Sequence, residues 1–194
     1  VQWMTAASGL VHEEFHGRDF AARGGPFEMV QLWVNLPAED KRTAPRYQGI
    51  TSDRIPEVAL ADGAGTVRVI AGEFAGARGP ASTFTPIDVW DVRLAEGGRT
   101  LLAVPDGHTI ALVVLHGEVR VNGSERIAEG EVGLFHREGR AVALEAASDA
   151  KLLLLGGEPI DEPIVGQGPF VMNTAKEIRQ AIDDYLAGAM GRLA

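Results

Sequence analysis

Residues 109–123 read TIALVVLHGEVRVNG, and their reading decides the fold. The first eight are mostly aliphatic and β-branched, the composition of a strand packed on a core. Gly117 falls where that strand has to bend, and Asn122-Gly123 is a strong tight-turn signal. RIAEGEVGLF (126–135) then supplies another turn and a returning strand. The same grammar extends outward on both sides. Upstream lie TVRVIAGEF (66–74), TPIDVWDVRLA (85–95) and RTLLAVP (99–105); downstream lie RAVALEAA (140–147) and AKLLLLGG (150–157). Short strands at this spacing, punctuated by Gly, Pro and Asp, predict an antiparallel barrel or sandwich.

The flanks read differently. FEMVQLWVNL (27–36) is rich in β-branched and aromatic residues and predicts a buried strand. PAEDKRTAPRYQGI (37–50), with two prolines and mixed charges, predicts a surface excursion with at most a short helical turn. Near the other end, Thr174 and Glu177 form a T-x-x-E capping box. Ile178, Ala181, Ile182, Tyr185 and Leu186 then fall on one helical stripe, with Gly188 as the stop, so a closing helix is predicted against a barrel wall.

Composition narrows the function. With 194 residues the chain is long enough for a substantial core. Its net charge of -9, with no basic stripe, argues against nucleic acid or an anionic membrane as a direct partner. The absence of cysteine excludes thiolate metal sites and disulfides. No apolar run reaches the roughly 18 residues a spanning helix needs, and no signal peptide is visible, so a cytoplasmic location is expected.

The chemistry is concentrated in VHEEFH (11–16), which supports two metal readings. As H-E-x-x-H it would be a zinc-protease motif, which requires a helix so that His12 and His16 share a face. Gly9 and Gly17 bracket the stretch and leave about two turns, short of a typical helix of roughly 11 residues. As H-x-E, His12 and Glu14 would point to one side of a strand. An imidazole and a carboxylate there suit Fe(II), Mn(II), Ni(II) or Cu(II) with open positions. The spacing is equally that of a polar pair in water at a strand end. His108, His116 and His136 stand alone and read as turn or surface residues, and Glu118 and Glu131 as solvated strand-end charges.

Three longer stretches carry a family resemblance. VQWMTAASGLVHEEF (1–15), QLWVNLPAEDKRTAPRYQ (31–48) and GEPIDEPIVGQGPFVMNTAKEIRQAIDDY (157–185) resemble pirins, and the local order around 109–135 resembles the heart of a cupin barrel. The resemblance implies an all-β bicupin, two stacked β-barrels with a C-terminal helix. Residues 1–45 would be the later part of the metal-binding N-terminal barrel, 46–65 a linker, 66–157 a C-terminal barrel without metal ligands, and 158–194 the closing extension. The family's metal, usually iron, is held by an H-x-H pair and then an H-x-E pair. The second pair maps onto His12 and Glu14, which makes the H-E-x-x-H match accidental. The upstream pair has no counterpart in a chain that starts at Val1, so the first barrel is expected to lack its N-terminal strands.

The resemblance also implies function. It suggests a metal-dependent quercetin 2,3-dioxygenase acting on a flavonol, with Fe(II) first and Mn, Ni or Cu as alternatives. His12 would be a ligand and Glu14 both a ligand and the base; Met4, Phe15 and Trp33 would chiefly fill the barrel. The alternative implied is a non-enzymatic, redox-sensing regulator that binds a transcription factor or a metabolic enzyme.

Overall fold

The structure is a computed structural model that describes residues 1–193. In chain order the elements are β1 (Gln2–Thr5), α1 (Arg18–Arg23), β2 (Arg46–Gly49), β3 (Glu57–Ala59), β4 (Gly65–Ala71), β5 (Glu73–Phe74), β6 (Ala77–Arg78) and β7 (Ile87–Leu94). There follow β8 (Arg99–Ala103), β9 (Thr109–His116), β10 (Glu118–Val121), β11 (Glu125–Ala128), β12 (Val132–Leu134), β13 (Ala141–Ala146), β14 (Ala150–Gly157), β15 (Val165–Gln167), β16 (Phe170–Met172) and α2 (Ala175–Leu186). The chain divides into two compact units, one of residues 1–3 and 48–159, the other of residues 4–47 and 160–194.

The first unit holds the strands that the sequence announces. A six-stranded sheet runs β12-β9-β14-β7-β4-β3 and a four-stranded sheet β11-β10-β13-β8, with antiparallel neighbours in both. Side chains alternate across a strand with period two, so one parity of each faces inward. Val67 and Val69, Trp90, Val92 and Leu94, Leu112 and Val114, and Leu152 and Leu154 do so from the larger sheet. Val119 and Val121 with Val142 and Leu144 do so from the smaller one. Burying each such side chain is worth about 1.5–3 kcal/mol. Trp90, only 1% exposed, is met edge-on by Phe74 at 5.0 Å between ring centroids. A smaller cluster joins Ile70 and Val89, on the opposite parity of the large sheet, and Ala71, past the register shift in β4, to Ile50 and Ile55 from outside the strands.

The bend and turn inside 109–123 are where the sequence puts them. Gly117 has φ +78 between β9 and β10, and Asn122 (φ 49) with Gly123 (φ 78) makes the β10–β11 turn. Both glycines occupy backbone that L-residues resist.

The second unit departs from expectation. Residues 27–36 form no strand, and Phe27, Met29, Val30, Leu32, Trp33 and Val34 are all exposed. The physical reason is that a strand exists only as a paired one, and no described strand pairs with this stretch. Phe15 and Trp33 are 80% and 67% exposed, so neither fills a core within the described residues.

What does order this unit is its far end. The Thr174 hydroxyl accepts from the Glu177 backbone N–H at 3.2 Å, and the Glu177 carboxylate accepts from the Thr174 hydroxyl at 2.8 Å and from the Asn173 backbone N–H at 3.2 Å. Ile178 and Ala181 of α2 are buried with Met172 and Met190 and pack on Val11, Val165 and Phe170. Tyr185 and Leu186, the lower half of the predicted stripe, stay exposed. Glu162 ties the unit together by accepting from the Ala38 backbone N–H at 2.8 Å and from the Asn173 amide at 2.9 Å. Lys41 is buried, its ammonium donating to Asn35 at 2.9 Å and to the Leu36 carbonyl. Burial lowers its pKa, against the opposing charges of Glu162 and Glu177. No helix among the described residues is long and apolar enough to cross a membrane, a finding that does not bear on strands.

Candidate functional site

His12 and Glu14 lie in irregular backbone, neither helix nor strand, and both are exposed. The strand expected over this stretch does not form, for the same reason as at 27–36: no described strand pairs with it. The helix that the protease reading requires does not form either. The segment is anchored instead by flanking contacts. The Val11 backbone N–H donates to the Met190 carbonyl at 3.0 Å, and His16 packs edge-on to Phe27 at 4.7 Å while Phe20 of α1 leans on both rings.

Among the described residues, no group of three or more His, Asp or Glu side chains is placed to hold a metal ion. A catalytic first-row ion takes about three protein ligands. His12 and Glu14 supply one imidazole and one carboxylate, the right donor types in too small a number. The described residues therefore do not make a metal centre by themselves.

The remaining histidines sort cleanly. His116 is exposed and pairs with Glu129 at 3.0 Å, and His136 is exposed. Glu118 is held below the usual carboxylate range by its hydrogen bond to Arg126, at 2.6 Å. Glu131 accepts from the Ala128 backbone N–H at 2.7 Å.

His108 closes a turn, as expected, its backbone N–H donating to the Pro105 carbonyl at 3.5 Å, but its side chain is not a surface one. It is half-buried and lines a cleft of 460 Å³ in the first unit, and its Nδ1 is buried with no hydrogen-bond partner. Asp88 stands near enough to feel its charge. Only 9% exposed, Asp88 has its carboxyl pushed above the ordinary range by burial, offset in part by the Glu73 backbone N–H and by His108. Sequence reasoning took His108 for a turn or surface residue and passed over Asp88, although strand parity marks both. Asp88 shares the inward parity of Trp90, Val92 and Leu94, and His108 that of Ile110, Leu112 and Val114.

Comparison with known proteins places this geometry. Residues 89–191 match the family model of the pirin C-terminal cupin domain. A Pseudomonas aeruginosa protein provisionally named quercetin 2,3-dioxygenase is 53% identical over 188 residues, covering 97% of this chain and 65% of that protein. Human pirin is 36% identical over 191 residues, covering 95% of this chain and 63% of that one. The crystal structure of a quercetin 2,3-dioxygenase from Acinetobacter baumannii matches with a TM-score of 0.96 at 50% identity, covering all of this chain and 67% of that chain. The chain thus spans about two thirds of the length of these relatives.

Proposed function

The chain belongs to the pirin family and has a mostly-β cupin fold with a short C-terminal helix, and on that premise we propose that the whole protein is a metal-dependent bicupin quercetin 2,3-dioxygenase. Residues 1–45 contribute the later part of its N-terminal barrel, residues 46–65 a linker, residues 66–157 its second barrel, and residues 158–194 the closing extension. His12 and Glu14 are two ligands of a first-row divalent ion, Fe(II) first, with Mn, Ni or Cu as alternatives. An upstream histidine pair supplies the donors that the described residues lack. The single observation that carries this reading is the near-superposition on the Acinetobacter baumannii enzyme at half-identical sequence.

The chemistry assigned to this chain is proton transfer. Ring cleavage of a flavonol begins with loss of the 3-hydroxyl proton, and the Glu14 carboxylate is the acceptor, with His12 fixing the position of the same centre. The second barrel is structural toward this reaction. The protein works in the cytoplasm, on a small flavonol-like substrate, without nucleic acid or membrane as a direct partner.

The test is aerobic loss of quercetin absorbance by the whole, metal-loaded protein. Glu14→Gln should lower turnover by about 10²–10⁴-fold, the range of a general base, while weakening metal affinity much less. Turnover at the parent rate in that variant would sink the assignment. A second reading, a regulator binding a transcription factor or metabolic enzyme, is favoured by the net charge of -9, which suits a protein partner better than DNA. It predicts stoichiometric metal with no quercetin loss.

A further inference from the structure

The last backbone hydrogen bond before His12 and Glu14 runs from the Val11 N–H to the Met190 carbonyl, at 3.0 Å. Among the described residues, the next one along the chain joins the Ala21 N–H to the Gly17 carbonyl. Two residues before Val11, Gly9 has φ +111, and a Cβ there would stand 2.5 Å from the Met190 Sδ and 2.6 Å from its Cγ. The bare Cα of Gly9 is what lets the thioether lie against the chain at this point. Met190 is 8% exposed and is buried with Met172, Ile178 and Ala181 against Val11. The way α2 ends delivers it there. Gly188 (φ +77) donates to the Tyr185 carbonyl at 2.9 Å and Ala189 to the Asp184 carbonyl at 2.9 Å, the paired bonds of a Schellman stop. Ala189 and Gly191 are exposed on either side, so after the helix the buried contact is made by Met190.

We propose that Met190 is a positioning residue for His12 and Glu14: its thioether on Gly9 and its carbonyl on Val11 fix the backbone from which both donors extend. The inference rests on the reading of those two residues as metal ligands. His12 follows Val11 by one peptide, about 3.8 Å from Cα to Cα, so a displaced anchor displaces the imidazole. A site of this kind holds its geometry to within about 0.5 Å. The side chain matters because it places the carbonyl. An unbranched thioether fills the irregular gap beside a bare Cα, and without it nothing on the Met190 side chain presses on Gly9.

The test uses the whole protein, stripped of metal, in two measurements: amide exchange by NMR, and titration with Mn(II) alone followed by electron paramagnetic resonance. In the unmodified protein the Val11 amide should be protected and should exchange together with the amides of α2, as one opening. Exchange of Val11 at the rate of an unstructured amide would overturn the anchor without any variant. Met190→Ala should speed exchange at Val11 by at least about tenfold. It should also weaken Mn(II) by about tenfold or more, the scale of changes made behind a ligand. Met190→Leu, which keeps the volume, should restore both. Thr174→Ala, which loosens the other end of α2, should leave the Mn(II) affinity within about twofold. No rescue by leucine, an equal loss in Thr174→Ala, or unchanged Mn(II) affinity in Met190→Ala would each overturn the positioning role. An unmodified protein that binds no Mn(II) would overturn the ligand reading and the positioning role with it. Failure of the ligand reading is thus seen in the parent titration, and failure of this inference alone in the exchange and the variants.

Discussion

Gly117 and Gly123 offer a paired experiment, because both have φ +78 and their surroundings differ. A Cβ at Gly123 meets nothing within 4 Å. Gly123→Ala therefore incurs only the left-handed backbone penalty of about 1–2 kcal/mol, less a few tenths regained from a stiffer unfolded chain. A Cβ at Gly117 would stand 2.9 Å from the Ser148 hydroxyl and 3.1 Å from the Ala150 Cα, and closer still to the Asp149 carbonyl oxygen. Two of those three atoms are backbone at the entry to β14, which is paired along its length with β7 and β9. Relief requires moving that strand, so overpacking of about 1–3 kcal/mol adds to the same φ penalty. For a chain of this size each kcal/mol lowers Tm by about 2–4 °C. Gly123→Ala should lose about 1–7 °C, and Gly117→Ala a further 2–12 °C or so, by scanning calorimetry at pH 7. Equal losses in the two variants would refute the claim that contact with Asp149 fixes the glycine at 117.

Other consequences can be measured directly. Thr174→Ala removes the α2 cap, a change worth about 1 kcal/mol and about 2–4 °C in Tm, and calorimetry checks it. The Thr174 hydroxyl, with the Asn173 and Thr174 backbone N–H groups and Arg42, holds Glu177 below the ordinary carboxylate range in the fold. Its contribution is therefore present above about pH 4.5 and lost as pH falls through the folded value, and the Thr174→Ala deficit should narrow there. Asp88 has the opposite sign: burial raises its folded value, so its ionisation opposes folding as pH rises above about 3.8. Asp88→Asn should raise Tm at pH 7, and the gain should fade below about pH 4; a loss of stability at pH 7 would contradict this account.

How far the sequence could be read depended on whether the signal was local. The strands around Trp90, Leu112, Leu144 and Leu154 were legible because alternating aliphatics bounded by Gly and Asn-Gly encode both element and face. The α2 cap was legible because Thr174 and Glu177 act within one turn. Residues 27–36 misled because an apolar composition records the need for cover, and the cover is a property of neighbouring strands. His12 and Glu14 advertise donor types, whereas a metal centre is a convergence of several segments that no spacing reveals. Asp88 was overlooked, and the burial of the His108 side chain missed, for another reason. Each is a single polar residue on an inward parity, a weak signal until the barrel end that gathers them is known.

The position of β14 has a consequence in time. It lies between β7 and β9 and pairs with both, and its register joins Ile87 to Gly157. During synthesis β7 and β9 leave the ribosome well before the strand that joins them. About 60 residues separate the end of β7 from the end of β14, and about 40 the end of β9, so at about 5–20 residues per second β7 waits roughly 3–12 s and β9 roughly 2–8 s. For that interval each has a bare backbone edge, the state most prone to pairing with a neighbouring nascent chain. Folding of this barrel is thus a late and abrupt event, limited by a long loop closure and timed by the emergence of residues 150–157.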